Sequence, residues 1–322
     1  MRASILLALA ACGVAETHRV VGESYHHTFS AAHPVLARVK PGDRIVTKTV
    51  DSAGFDFSGA RRTKTHGNPL AGAFYVEGAE PGDALTVRIE SLRLNRDTGY
   101  TGHQASAKDL DARLQAPKPT PNEVIPGYDY LVPWMIDRKS GFVWPKHMPA
   151  LRIAARPMLG CIGVAPEGDY SPRSGPAGYW GGNMDYPMVR EGTTVYLPVF
   201  HSGALLFFGD GHAVQGDGEA IGSGVETSLD VEVTVHLRKK WKLTVPRLET
   251  ADRIISIGAK PERSLNDAAS IAVADMLRWL VDDYGMTPAS AHLVIGTAAQ
   301  YDIASMAGVM GLGIPKRYLR RQ

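Results

Sequence analysis

The chain has 322 residues, 44% of them hydrophobic, and a net charge of +2. That length can carry a full-sized core, as one large β-rich domain or two smaller ones. The near-balanced charge excludes a nucleic-acid footprint, and 8% aromatic content excludes general disorder.

At the N-terminus Arg2 precedes an apolar run, Ile5 to Ala11, far shorter than the roughly 20 residues of a membrane span. Leu9-Ala10-Ala11-Cys12 has the form of a bacterial lipobox, in which Cys12 would be lipidated, and Gly13-Val14-Ala15 offers a small-residue cleavage site instead. Residues 1–15 are therefore expected to be a signal or lipoprotein segment ahead of a domain at 16–322. The protein would then be periplasmic or lipid-anchored; a cytoplasmic location is the alternative. No transmembrane segment is expected, and with Cys12 modified the remaining Cys161 has no disulfide partner. The basic run from Lys316 to Arg321 reads as a solvated terminus.

From Ser24 to Val50 the pattern is extended, with Val35, Leu36 and Val39 before Pro41-Gly42-Asp43 and Ile45, Val46 and Val50 after it. Pro81-Gly82-Asp83 repeats that punctuation between Phe74-Tyr75-Val76 and Leu85, Val87 and Ile89. Each reads as a β-hairpin turn, though the differing flanks argue against a true repeat. Residues 93–146 are rich in Pro, Gly and charge with little periodicity, the signature of a functional or surface loop. Leu151 to Ile162 supplies another strand, and residues 165–182 are again loop. The alternation of Leu229, Val231, Val233, Val235 and Leu237 is the clearest half-buried strand.

The period then changes. Ser264 with Asp267 is close to a capping box, and helical spacing from Ala268 to Val281 continues to Gly285. Thr287-Pro288 caps a second helix running to about Tyr301. The expected fold class is α+β, mainly β: antiparallel sheets forming a sandwich or barrel-like body over about 24–245, with a helical segment at about 262–310.

The chemistry is expected between Trp180 and Glu226. Two apolar runs lead there into glycine at nearly every other position, interleaved with Asp210, His212, Gln215, Asp217, Glu219 and Glu226. An ordered loop with several carboxylates needs something to neutralise them. Asp210 and His212, two apart, project to one face if extended and can share a zinc ion, which takes nitrogen and oxygen ligands. Water on a catalytic zinc has a pKa lowered to about 7. A nearby carboxylate would take the water's proton and pass it to the leaving group, Glu219 being first choice and Glu226 second. The Gly216–Glu219 segment lacks the EF-hand spacing, although calcium is an alternative metal. G-x-S-x-G and Walker motifs are missing. Cys161, in an apolar run, reads as a small buried hydrophobe. His26, His27 and His33 have no ligand spacing, and Asp51 and Asp56 read as structural.

Four blocks together resemble the acetamidase/formamidase family: HGNPLAGAFYVEGAEPGDALTVRI (66–89), GCIGVAP (160–166), GGNMDY (181–186) and LPVFHSGALLFFGDGHAVQGDGEAIGSGVE (197–226). The resemblance covers most of residues 40–240. It implies a mainly β fold, a homo-oligomer, and hydrolysis of a small amide to a carboxylate and ammonia with a bound metal such as zinc. On matching blocks His66 becomes a third metal ligand, its alternative being a loop histidine capping a turn. Asp185 and Asn183 would orient the substrate or a ligand, or merely shape a turn, and Asn183 and Gln215 are the expected substrate contacts. The export segment and a Gly/Pro-rich insertion at roughly 96–145 depart from the family and leave the amide open. The alternatives are a lactam in a widened pocket, or an exported non-catalytic β protein that binds a small ligand or calcium.

Overall fold

The alternating run recognised at Leu229 forms the strand Leu229–Arg238, which takes a central place in the largest sheet. Val231, Val233 and Val235 are buried, and the intervening Asp230, Glu232 and Thr234 are half-buried. The strand pairs on one side with Arg44–Lys48 and on the other with Ala84–Leu94. The structure is a computed structural model describing residues 15–107, 110–117, 124–125, 128, 130–262 and 264–319. Cys12 and all of the expected signal segment except Ala15 lie outside the described residues. Among the described residues no helix is long and apolar enough to cross a membrane.

Nine strands make the largest sheet, from Thr17–Arg19 at one edge to Gln300–Ser305 at the other. A six-stranded sheet runs from Ala177–Gly178 through Gly181–Asn183, Met158–Val164, Leu206–His212 and Leu70–Val76 to Ala37–Val39. One continuous apolar cluster takes Leu85, Ile89, Val231 and Val233 from the first and Phe74, Ile162 and Phe208 from the second, so the two sheets bury their faces against each other. The fold is mainly β with mixed sheets and no closed barrel; two of the strand pairs are parallel.

The two Pro-Gly-Asp turns are not hairpins. Ala37–Val39 and Leu70–Val76 lie side by side in the six-stranded sheet, while their successors Arg44–Lys48 and Ala84–Leu94 belong to the nine-stranded one. Each turn carries the chain from one layer to the other with the same geometry. Lys40 N–H donates to Asp43 Oδ2 at 2.8 Å, and Glu80 N–H to Asp83 Oδ2 at 2.9 Å. Gly42 and Gly82, both at φ near +90°, donate their N–H to Val235 and Val199. Those donors are directed at a third strand or the residue just past one, so a two-strand ladder cannot close across the turn.

The described residues of the 93–146 segment are less irregular than its sequence. Thr98–Thr101, Val132–Asp137 and Phe142–Pro145 form a small sheet completed by Ile153–Ala154. Its Trp134, Ile136 and Val143 pack on Ala213, Val214 and Val225 and so support the glycine-rich loop.

Helix α1, Leu265–Asp282, starts at Ser264, whose hydroxyl accepts from Asp267 N–H. Helix α2, Pro288–Ala298, starts at Thr287 with proline in its first turn. Met276, Trp279 and Leu280 of α1 pack on Ile254, Leu312 and Ile314 of the large sheet. The chain does not end in helices, as expected from periodicity. Tyr301 belongs to a strand, and Gln300–Ser305 with Val309–Pro315 forms a terminal hairpin added to the sheet edge.

Arg247, on strand Arg247–Glu249, locks α1 to the sheet by two hydrogen bonds to Asp275 of 2.8 and 2.9 Å, with both side chains buried. Ser256 donates to the same carboxylate at 2.8 Å. Replacing Asp275 by Ala leaves the guanidinium buried without its partner and is expected to cost roughly 3–5 kcal/mol, measured by urea unfolding.

Candidate functional site

Strand Leu206–His212 carries Asp210, which lines a cavity of about 610 Å³, and the fully buried His212 two residues on. It pairs with Met158–Val164, matching Leu159 to Gly211 and Cys161 to Gly209. Between those pairs Asp210 takes a left-handed backbone, φ +56°, and faces Gly160. The two side chains therefore meet through a local twist rather than through simple alternation along an extended strand. A Cβ on Gly160 would lie 2.5 Å from Asp210 Oδ2 and 2.6 Å from Asp185 Oδ1. Glycine at 160 thus makes room for two carboxylates, and Gly224 does the same for the imidazole, 2.6 Å from its Nδ1.

Glu226 arrives from the far side of the loop, bridged by main chain to Tyr100 and His212. Asp185 follows strand Gly181–Asn183, its N–H bonded to Gly160 O. Glu219 ends a 3-10 turn and accepts from Ser305 Oγ at 3.1 Å, while Met306 N–H donates to Gly218 O. The terminal hairpin therefore pins the acidic loop. Asn68, Asp185, Asp210 and Glu219 all have positive φ, between +42° and +56°. Left-handed backbone at a non-glycine residue costs on the order of 1 kcal/mol or more, and its concentration in one place marks a site held by its surroundings.

Two sets of ligand-type atoms converge, each within 4.8 Å: Asp185, His212 and Glu219, and Asp210, His212 and Glu226. His212 Nε2 lies 3.0 Å from Glu226 Oε1 and 3.6 Å from Asp210 Oδ1, without hydrogen-bond alignment to either. Its Nδ1 is 2.8 Å from Gln215 Oε1, and Gln215 Nε2 donates to the Asp185 carbonyl at 2.5 Å. A carbonyl oxygen only accepts, so Nδ1 carries a proton and Nε2 is the nitrogen that faces the acids. Asn68 Nδ2 donates to Asn183 Oδ1 at 2.9 Å and to Asp210 Oδ2 at 3.1 Å, and Asn183 Nδ2 donates to Asp185.

Burial, reinforced by Glu219 and Asp210, pushes the Asp185 carboxyl well above the ordinary range. Burial also raises Glu219, and it takes Glu226 to about 8 against the opposing pull of His212. Burial alone would lower His212; the charges of Glu226 and Asp210 outweigh it and raise the imidazole well above its usual value. Such shifts say that the cluster is short of positive charge. Asp185 Oδ1, Asp210 Oδ1, His212 Nε2 and Glu226 Oε2 are buried with no hydrogen-bond partner. One imidazole nitrogen and several carboxylate oxygens, left open and aimed at a common point, fit a divalent cation.

Asn183, Asp185, Asp210, His212, Glu219 and Glu226 are thus brought together. His66 is in neither set of ligand-type atoms; it lines the cavity with its ring 4.3 Å from that of Tyr128. Gln215, expected to touch substrate, is buried behind His212 and orients it. Asp51 is structural, its carboxylate 2.7 Å from Arg96 Nη2, and His26 and His33 stack on each other at 3.9 Å. Three neighbours of the cluster escaped the sequence reading. Asn68 lies in the HGNP string that drew attention only for its histidine, and Ser305 lies in the hairpin read as helix. Cys161 was read as an apolar filler, yet its Sγ donates to Asn183 Oδ1 at 2.8 Å; burial and the nearby Asp210 and Asp185 push the thiol up, so it stays protonated.

Known proteins were compared with this arrangement. The profile of the acetamidase/formamidase family matches residues 15–174 and 170–309. A crystal structure of acetamidase from Yersinia enterocolitica superposes with TM-score 0.79 at 31% identity, covering 97% of this chain and 96% of that one. Among curated proteins, a putative formamidase of Schizosaccharomyces pombe is 28% identical over 213 residues, 52% of this chain and 50% of that protein. A formamidase of Methylophilus methylotrophus is 25% identical over 272 residues, 66% of this chain and 64% of that protein. The matches thus span half to two thirds of the curated relatives. The chain belongs to the acetamidase/formamidase family.

Because Gly160 has no backbone strain of its own, Gly160→Ala tests the need for space alone. It is expected to displace the Asp185 and Asp210 carboxylates and lower stability by about 1–3 kcal/mol, read by urea unfolding, with the far-ultraviolet circular dichroism unchanged.

Proposed function

We propose that the protein is a metal-dependent amidohydrolase that cleaves a small linear amide to a carboxylate and ammonia. The observation that carries this reading is the convergence of unpartnered, buried Asp210, Glu226 and His212 ligand atoms, with Asp210 and Glu226 lining the cavity. Family membership supports it, as do the names of the relatives, formamidases and acetamidases.

Asp210, His212 and Glu226 would hold the cation, and Asp185 and Glu219 form a second set with the same His212. The nitrogen donor favours zinc over calcium, which takes oxygen ligands. A bound divalent ion supplies Lewis acidity, polarising a carbonyl and making water reactive near neutral pH. The residues do the remainder. Gln215 holds His212 in the tautomer that presents Nε2. Asn68 and Asn183 fix the carboxylates of Asp210 and Asp185 and line the cavity that receives the amide. Glu219 is half-buried at the cavity surface, with a carboxyl raised by burial. It takes the proton of the attacking water and delivers it to the departing nitrogen. Cys161, protonated and hydrogen-bonded away, takes no nucleophilic part.

Ammonia release from acetamide and formamide by metal-quantified protein is the direct test. Chelation is expected to reduce it by at least about 100-fold, and added zinc to restore it. Glu219→Gln is expected to keep the metal and lose on the order of 10²–10⁴ in kcat, whereas His212→Ala loses the metal itself. Undiminished turnover by metal-free protein removes the cation from the mechanism, and no turnover of any amide by loaded protein removes the enzyme.

A further inference from the structure

Away from its acidic floor the cavity changes character. The rings of His66 and Tyr128 lie 4.3 Å apart, and Tyr130 meets Tyr128 edge-on at 5.6 Å. Ile125, Leu131 and Ile221 also line the space. Burial, and then Arg61, holds the His66 imidazole below the usual histidine range, so it presents a flat uncharged ring. Acetamide has four heavy atoms and fills roughly 100 Å³, taking about 30 Å³ per water-sized group. The cavity measures about 610 Å³. A chamber of this size, polar at one end and aromatic on its wall, is built for a larger molecule than the simplest amides.

We propose that this aromatic wall is a substrate-side-chain subsite, and that the substrate is a primary amide bearing an aromatic ring, with Tyr128 and Tyr130 as specificity-determining residues. This rests on the amidohydrolase reading and adds the substrate class. Tyrosine and imidazole faces receive an aryl group by offset or edge-to-face contact, which a methyl group cannot use as well. The wall comes from Ile125, Tyr128, Tyr130 and Leu131 and from His66 in the loop before strand Leu70–Val76, while the floor comes largely from the sheets and the glycine-rich loop. His66, which is not placed as a ligand, acquires a role here as part of the ring face.

The test compares kcat/KM for phenylacetamide and acetamide on metal-loaded protein. The ratio is expected to exceed one in the native chain, to fall at least about tenfold in Tyr128→Ala and Tyr130→Ala, and to survive in Tyr128→Phe. The turn around Tyr128 is held by main-chain bonds from Tyr128 N–H to Ile125 O and from Leu131 N–H to Tyr128 O, so truncating the side chain leaves the turn's bonds in place. Preference of the native protein for acetamide overturns the proposal, and so does a parallel loss on both substrates in the variants. A calorimetric titration of phenylacetate into Glu219→Gln protein separates the two readings. If neither amide is hydrolysed but phenylacetate binds and Tyr128→Ala weakens it, the subsite stands and the amidase reading falls. Absence of phenylacetate binding removes the subsite.

Discussion

Four carboxylates, three of them out of water, gather around one imidazole, and the rest of the structure has to hold them there. The isolated charge of a buried acid is unfavourable by several kcal/mol in real proteins, and neighbouring acids of like sign add to it. Asp185, Asp210 and Glu226 are almost wholly removed from solvent, and the basic side chain they meet is His212. A cluster of this kind persists only if the surrounding fold is strong enough to hold it. The two large sheets supply that strength through a shared apolar core, and the acids sit where strand Leu206–His212 ends. Positive φ at Asn68, Asp185, Asp210 and Glu219 is the local sign of the same compromise.

Separate parts of the chain must be brought to one point for this to happen. The layer-crossing Pro-Gly-Asp turns alternate the N-terminal strands between sheets, so that the strand Leu70–Val76, whose N-terminal end follows Asn68, lies beside Leu206–His212. The terminal hairpin then reaches across to hold Glu219 through Ser305. A hydrogen bond between residues 86 apart in the chain thus fixes that carboxylate. Tertiary pairing, rather than the glycine-rich loop's own preferences, decides where that loop points.

Local signals were legible and long-range ones were not. The caps at Ser264 and Thr287 and the alternation from Leu229 to Leu237 act within a few residues, and each produced the element expected. The Pro-Gly-Asp turns misled because a hairpin and a layer crossing use the same turn residues. What separates them is the acceptor of the glycine N–H, which lies far away in the chain. The terminal hairpin misled because its strand Gln300–Ser305 follows α2 directly and has little alternation. At the site, the run from Asp210 to Glu226 was visible as acids spaced by glycine, and with Asn183 and Asp185 it converged. Gln215 contacts His212, and His66 lines the cavity outside both sets of ligand-type atoms. Proximity in a motif does not say which way a side chain faces.

Division of the cavity into floor and wall has a physical basis. Floor positions are constrained from every side: a methyl group at Gly160 collides with two carboxylates, one at Gly224 with the imidazole, and one at Gly211 with Leu229. Substitution there disturbs the acids whatever the new residue is. On the wall Tyr128 and Tyr130 stand on a turn closed by main-chain bonds, with Tyr130 46% exposed, so their side chains can change without moving the acids. A protein built this way can alter what it accepts while leaving its polar floor untouched. Reaction type and substrate range are thereby assigned to parts of the chain with different tolerance for change, the first to packed strands and the second to connecting segments laid over them.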